Sequence, residues 1–475
     1  MATICGKQEF VRDYSEAIKN ASAALFIGSG LSRDANAYDW KGLLKEAAED
    51  IGLDVENEAR DLISLAQYYV NSKGRQKINT AISKCFKDIL TPSENHLLLA
   101  SLPIVSYWTT NYDRLIEKAF EHFNISTLVL TDDDSLKLFT DGKDVVIRKL
   151  HGDVARPQDC VITKKDYEEF AYKHEILLAQ LKGEMCAKTF LFLGYSFSDT
   201  DINHILTRIR LFYKGEPPQR HFCIMKRIER TDTYGTKKQE HLIDDLKTYG
   251  IHTVLIDDYS EITDMLKEIR HRIYSKNVYI SGAYEDSNPD AEEYAKYAHA
   301  ISKWLIENGY KIFTGYGKNL GAEIVAGGFE GCTRINDNGS AKRFNDSVFL
   351  FPFPFRSDLP VEERKRLYTE QRKNSILRTH VTIIINGTNN KTSDGSLQNA
   401  QGCLEESNIS LEQGNIVIPI AKSGGAAKQI WDEMYSEGCE YTSSDAFKAL
   451  NNSIAFDDVL DAVKLIITKD TQGNQ

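Results

Sequence analysis

The 475-residue chain has no paired C-x-x-C motif; its eight cysteines, Cys5, Cys85, Cys160, Cys186, Cys223, Cys332, Cys403 and Cys439, are scattered. A disulfide framework and a cysteine-type structural zinc are therefore not expected, and the thiols read as buried small hydrophobes. No apolar run reaches 18 residues, so no transmembrane helix is expected. The opening stretch, MATICGKQEF, lacks an apolar signal core, and the expected location is cytoplasmic. Positive charge is not in excess: 58 Lys and Arg stand against 69 Asp and Glu, a formal net charge of −11. That balance argues against a nucleic-acid backbone or an anionic membrane as the main partner. No repeat of solenoid type is present.

What remains is an ordinary globular composition, 41% hydrophobic, long enough for two or three domains. Short apolar runs separated by helix-length segments read as buried parallel strands. The first series is AALFIG (23–28), IVSYW (104–108), VVIRKL (145–150), TFLFLG (189–194), HFCIMK (221–226) and HTVLI (252–256). A helix-like stretch, 259–277, precedes a second series: NVYISG (277–282), YKIFTG (310–315), SVFLFPF (347–353), VTIIING (381–387) and NIVIPIA (415–421). Helical patterns lie near 290–308, 321–330, 360–377 and 425–436, whereas 336–346 and 387–402, rich in Asn, Gly and Ser, read as surface loops. The fold class expected is α/β, doubly wound, with one domain over 1–275 and a second, smaller Rossmann-like domain over 276–475.

In such a sheet ligands bind where strands hand over to helices. Four junctions in the first half are polar. LFIGSGLSRDA (25–35) runs a strand into Gly28, Ser29, Gly30 and Ser32; glycine lets backbone approach a pyrophosphate, although a Gly-rich strand exit is also simply a turn. YWTTNYDRL (107–115) places Asn111 and Asp113 at the second junction. An amide there binds a ribose hydroxyl or positions a water; Asp113 accepts from ribose or caps the following helix. RKLHGDV (148–154) puts His151 at a strand end, where an imidazole of ordinary pKa about 6.5 serves as a base in an open cleft or sits hydrogen-bonded in the interior. FLFLGYSFSDTD (190–201) brings Gly194 and Ser196, with Asp199 and Asp201 as candidate caps. In a parallel sheet these exits converge on one cleft.

The order G-x-G-x-S, T-x-N-x-D, strand-terminal His-Gly and G-x-S resembles the sirtuin fold over roughly residues 10–270. The resemblance implies NAD+ as substrate, cleaved at the nicotinamide–ribose bond. It puts Gly28, Ser29, Gly30 and Ser32 in the phosphate loop, and Asn111 and Asp113 in the ribose and nicotinamide motif. His151 takes the catalytic position, and Gly194 and Ser196 the later nucleotide loop. Three departures stand out: the zinc module of deacylating sirtuins is missing, SRDANAYDW replaces their Pro-Asp-Phe-Arg stretch, and Thr110 replaces a glutamine. They leave NAD chemistry and put deacylation in doubt.

In the second half, VYISGAYED (278–286) and IFTGYGKNLGAEIVAGGFEG (312–331) are strand exits able to cradle phosphate. Arg372 reads as a phosphate clamp or an exposed helix charge, and Glu406 as a ribose acceptor or a helix N-terminal carboxylate. This half resembles SLOG domains. A sirtuin-like domain followed by a SLOG domain resembles the NADase effector family of Thoeris anti-phage defence. That resemblance implies a homo-oligomer, tetramer being the expected size. A cyclic ADP-ribose isomer made by a TIR-domain partner would activate it at Gly282, Arg372, Glu406 and, more loosely matched, Lys391. No metal is implied. Two other readings stand beside it: an NAD-dependent protein deacylase, and a non-catalytic nucleotide sensor.

Overall fold

The computed structural model describes residues 4–32, 40–58, 61–87, 91–138, 145–197, 200–214, 218–333, 343–353, 358–391, 397–438, 440–453 and 455–473. It divides into two compact units, Met1–Ile273 and Tyr274–Gln475.

The first unit holds β1 (Ala23–Ile27), β2 (Ser106–Thr109), β3 (Thr127–Leu130), β4 (Val145–Lys149), β5 (Thr189–Leu193), β6 (His221–Lys226) and β7 (Ile251–Ile256). They form one sheet in the order β3-β4-β2-β1-β5-β6-β7, parallel throughout. Every residue of β1, β2 and β4 is buried, as a sheet covered by helices on both faces requires. Phe26, Trp108, Phe190 and Phe192 anchor one of the packed faces. β3 is an edge strand of four residues, three of them only half-buried. It therefore lacks the continuous apolar run that marks the others, and the apolar pattern passes over it.

The second unit holds β8 (Asn277–Ala283), β9 (Lys311–Thr314), β10 (Val348–Leu350), β11 (Val381–Asn386), β12 (Thr388–Lys391), β13 (Leu397–Asn399) and β14 (Ile416–Ile420). Five of these make a parallel sheet in the order β10-β9-β8-β11-β14. β12 and β13 pair antiparallel as a separate ribbon. That ribbon lies inside 387–402, which the Asn, Gly and Ser content marks as loop; its strands, TNNK and LQN, carry almost no apolar residue. The expected helices are present at Ala291–Glu307, Leu320–Thr333, Val361–Ile376 and Gly425–Glu437. Of the expected loop 336–346, residues 336–342 lie outside the described residues, and Phe344–Asp346 form a 3-10 turn.

Candidate active site and nucleotide site

In the first unit the chain leaves β1 toward β2, then later crosses back to place β5 on the other side of β1. The carboxyl end of β1 is thus the topological switch point, where an open α/β sheet offers a crevice. Gly28 donates its N–H to the Leu193 carbonyl at 2.9 Å, and Gly30 donates to the Gly194 carbonyl at 2.9 Å. These two amides are therefore engaged within the protein. The glycines also serve close backbone-to-backbone packing. A Cβ on Gly28 would lie 2.4 Å from the Gly194 oxygen, and one on Gly194, whose φ is +66°, would lie 2.3 Å from the Leu31 nitrogen. Ser29, Gly194 and Ser196 are exposed at this rim.

Beneath the rim lies a buried polar cluster. The Asn111 N–H bonds to Thr109 Oγ1 at 3.0 Å, which turns the chain back after β2. Ser32 Oγ donates to Asp113 Oδ2 at 2.8 Å, and Asn111 Nδ2 donates to Ser32 Oγ at 3.1 Å. The hydroxyl has one hydrogen, given to the carboxylate, so it faces Asn111 as an acceptor. The amide must present its NH2 group there, and its side-chain oxygen takes no hydrogen bond among the described residues. Asp113 Oδ1 also accepts from the Leu115 N–H at 3.1 Å at the start of helix Leu115–His122. Each Asp113 oxygen thus accepts one hydrogen bond within the protein.

His151 follows β4 and is 4% exposed. Its ring lies edge-on to Tyr167 and Phe170, each with centroids 5.4 Å away. Its carbonyl accepts from Val161 at 2.9 Å. The ring is thus buried rather than open to solvent, with the aromatic face of helix Lys164–Lys173 packed on one side of it. Asp199 and residues 33–39 of SRDANAYDW lie outside the described residues.

Motif reading missed Lys149, the last residue of β4. Its side chain is fully buried and pairs with Asp153 at 2.5 Å and Glu117 at 3.2 Å. It also donates to the carbonyls of Tyr112, at 3.2 Å, and Asp113. Burial opposes the ammonium, but Glu117, Asp153 and Asp113 outweigh it and hold Lys149 above its ordinary value. Burial likewise pushes the Glu117 carboxyl up, with Lys149 opposing. The available signal was a lysine inside the apolar run VVIRKL, since a buried charge demands partners.

In the second unit, Gly282 near the end of β8 has φ +143°, and a Cβ there would meet the Ile385 carbonyl oxygen at 2.2 Å. Arg372 is no exposed helix charge. Its Nη1 donates to Glu405 at 2.6 Å and its guanidinium lies 4.9 Å over the Phe353 ring. Its buried Nε makes no hydrogen bond among the described residues and stands 3.6 Å from Glu406 Oε1. Glu406 is no helix-start carboxylate either, being the sixth residue of Gln401–Glu412. It is buried and accepts from Tyr279 Oη at 3.1 Å and from Ser281 Oγ. Burial pushes its carboxyl up, against Ser281 and Arg372. Lys391 ends β12, and its side chain lies outside the described residues. A cavity of about 360 Å³ in this unit, lined by Glu292, His299, Glu323 and Phe456 among others, touches none of these residues. Among the described residues no cluster of three or more metal-ligating side chains forms and no helix is long and apolar enough to cross a membrane.

Residues 105–254 match the family described as SIR2-like domain, and residues 261–470 match the Sir2- and TIR-associating SLOG family. The chain is 36% identical over 459 residues to the NAD(+) hydrolase ThsA of Bacillus cereus (strain MSX-D12), covering 93% of this chain and 94% of that protein. It is 34% identical to the NAD(+) hydrolase ThsA of Cytobacillus dafuensis, over 96% of this chain and 93% of the other. To the enzyme of the same name from Enterococcus faecium it is 36% identical, over 92% of each. The chain belongs to the ThsA family of NAD(+) hydrolases, a SIR2-like unit followed by a SLOG unit.

Proposed function

We propose that the chain is a nucleotide-gated NAD+ glycohydrolase of anti-phage defence, in which a cyclic ADP-ribose isomer bound by the second unit releases NAD+ cleavage in the first. The observation that carries the catalytic half is the Ser32–Asn111–Asp113 cluster. It sits at the sheet's switch point and leaves one oriented amide oxygen for a ligand. In the reaction the bond between ribose C1′ and the nicotinamide nitrogen breaks, and a water oxygen bonds to C1′. Nicotinamide leaves as a neutral molecule and the water proton goes to a base. Because the leaving group is already cationic, the transition state is oxocarbenium-like. The protein's work is to hold the ribose, exclude bulk water and admit one nucleophile. Asn111 orients the water or the ribose, and His151 takes the proton, directly or through a ribose hydroxyl. Ser29, Gly194 and Ser196 line the approach for the diphosphate, with Gly28 and Gly30 shaping the turn beneath.

In the second unit Arg372, with a buried Nε awaiting an acceptor, Glu406, Gly282 and Lys391 form the site for the activating nucleotide. A TIR-domain enzyme supplies that nucleotide. A shift from about 1% to about 99% active requires about 5.5 kcal/mol of differential binding. Packing in a homo-oligomer, which we place at a tetramer, amplifies the local contact.

The test is NAD+ consumption by the full chain, with and without a cyclic ADP-ribose isomer made by a TIR enzyme, beside Asn111→Ala. Isomer-dependent loss of NAD+ that vanishes in the variant supports the whole reading. Turnover of an acyl-lysine peptide in its place would establish a deacylase, and nucleotide binding without any turnover would establish a silent sensor.

A further inference from the structure

We infer that Lys149 is a positioning residue for NAD+ cleavage, holding the loop that carries Asn111 in register with the loop that carries His151. The inference rests on the roles proposed above for those two residues. Thr109 and Lys149 are register partners at the ends of β2 and β4. The last ladder bond between the two strands runs from the Leu150 N–H to the Thr109 carbonyl at 2.9 Å. Asn111 lies two residues beyond Thr109, and His151 two beyond Lys149, so both stand where strand pairing has ended.

The ammonium takes over at that point. It gathers the carbonyls of Tyr112 and Asp113 from one loop and the carboxylate of Asp153 from the other, and it ties both to Glu117 of helix Leu115–His122. Three backbone-linked bonds run in parallel with it. Val154 donates to the Tyr112 carbonyl at 3.0 Å, Tyr112 Oη donates to the Val161 carbonyl at 2.6 Å, and Val161 donates to the His151 carbonyl at 2.9 Å. The ammonium is the charged centre of this lattice, and its side chain is 0% exposed. A methionine would fill the same volume without desolvating a charge. It could not draw two carbonyls and two carboxylates to one point, which only a multi-donor cation does.

The experiment uses the full-length protein and three variants: Lys149→Met, the triple Lys149→Met/Glu117→Gln/Asp153→Asn, and Asn111→Ala. The triple variant removes the uncompensated buried carboxylates, so it stays folded where the single variant fails. Circular dichroism gives the folded fraction, ADP-ribose titration gives nucleotide affinity, and steady-state hydrolysis in the presence of a cyclic ADP-ribose isomer made by a TIR enzyme gives kcat and KM for NAD+. The expected result is a kcat at least about ten-fold lower per folded molecule in both Lys149 variants, with ADP-ribose affinity and KM held within about three-fold. A kcat per folded molecule equal to wild type in the triple variant would reduce Lys149 to a stability staple and overturn the inference. A loss of kcat matched by an equal loss of ADP-ribose affinity would overturn it too, as that is collapse of the crevice. Absence of NAD+ hydrolysis in wild type, or full activity in Asn111→Ala, would instead overturn the functional reading beneath it.

Discussion

Gly30 hands its amide hydrogen to the carbonyl of Gly194 at 2.9 Å, and so joins the exits of two neighbouring parallel strands. The contact leaves no room for a side chain on either partner. Gly194→Ala would set a methyl 2.3 Å from the Leu31 nitrogen at φ +66°. Strain and overlap together are expected to cost about 3 kcal/mol or more. Gly183, exposed within helix Glu175–Ala187 with open space around it, is the opposite case. Gly183→Ala is expected to stabilise by about 0.5–1 kcal/mol. Thermal melts of the two variants should move in opposite directions.

Ser32→Ala removes the hydroxyl that joins Asn111 to Asp113. It leaves a buried amide and a buried carboxylate each short of a partner, at a cost of about 1–3 kcal/mol. Freed from the one hydrogen bond its side chain makes among the described residues, Asn111 should lose its aim. The hydrolysis rate is expected to fall by more than the affinity for NAD+, measured as kcat against KM. A variant with unchanged kcat would remove the Ser32 contact from the mechanism.

His221 is buried at the start of β6, and its Nδ1 accepts the Phe190 N–H at 3.1 Å. Burial and then His252 hold its pKa down at about 4, against about 6.5 in an unfolded chain. The native ring is neutral, so protons bind the unfolded chain first as pH falls. Stability from this residue is complete above pH about 6.5 and is lost between there and about 4, amounting to about 3 kcal/mol. His221→Asn keeps an acceptor but cannot titrate. The fall in melting temperature between pH 7 and pH 5 is expected to be smaller in that variant than in wild type.

Arg372 stacks over Phe353 and grips Glu405 with one nitrogen. Lysine reproduces its charge but neither the flat stack nor the fork. Arg372→Lys and Arg372→Ala are both expected to shift activation by a cyclic ADP-ribose isomer at least about ten-fold in concentration, with the NAD+ site intact. An activation curve superimposable on wild type for Arg372→Lys would mean that charge alone suffices.

The parallel sheets were legible because burial on both faces writes them as continuous apolar runs, as in AALFI and VTIII. Elements with one wet side were not: β3 and the β12–β13 ribbon carry too little apolar pattern. At the candidate site, sequence motifs marked the chain positions that reach the switch point. They did not reveal which donors were already spent, as with Gly28 and Gly30, because a hydrogen bond between residues far apart in the chain has no local signature. Lys149 escaped for a related reason. Its meaning lies in four acceptors supplied by Tyr112, Asp113, Glu117 and Asp153, none of which a strand-end motif contains.

The pairing of β1 with β5, Ala23 opposite Thr189 and Ile27 opposite Leu193, has a consequence for how the protein comes into being on the ribosome. The central strand is made early, but one of its two neighbours emerges only after most of the unit has been synthesised. Contacts of such long sequence separation form late. A nascent or truncated chain that stops before Gly194 therefore has no second wall to its crevice. The crevice at the switch point is thus complete only once β5 has paired with β1.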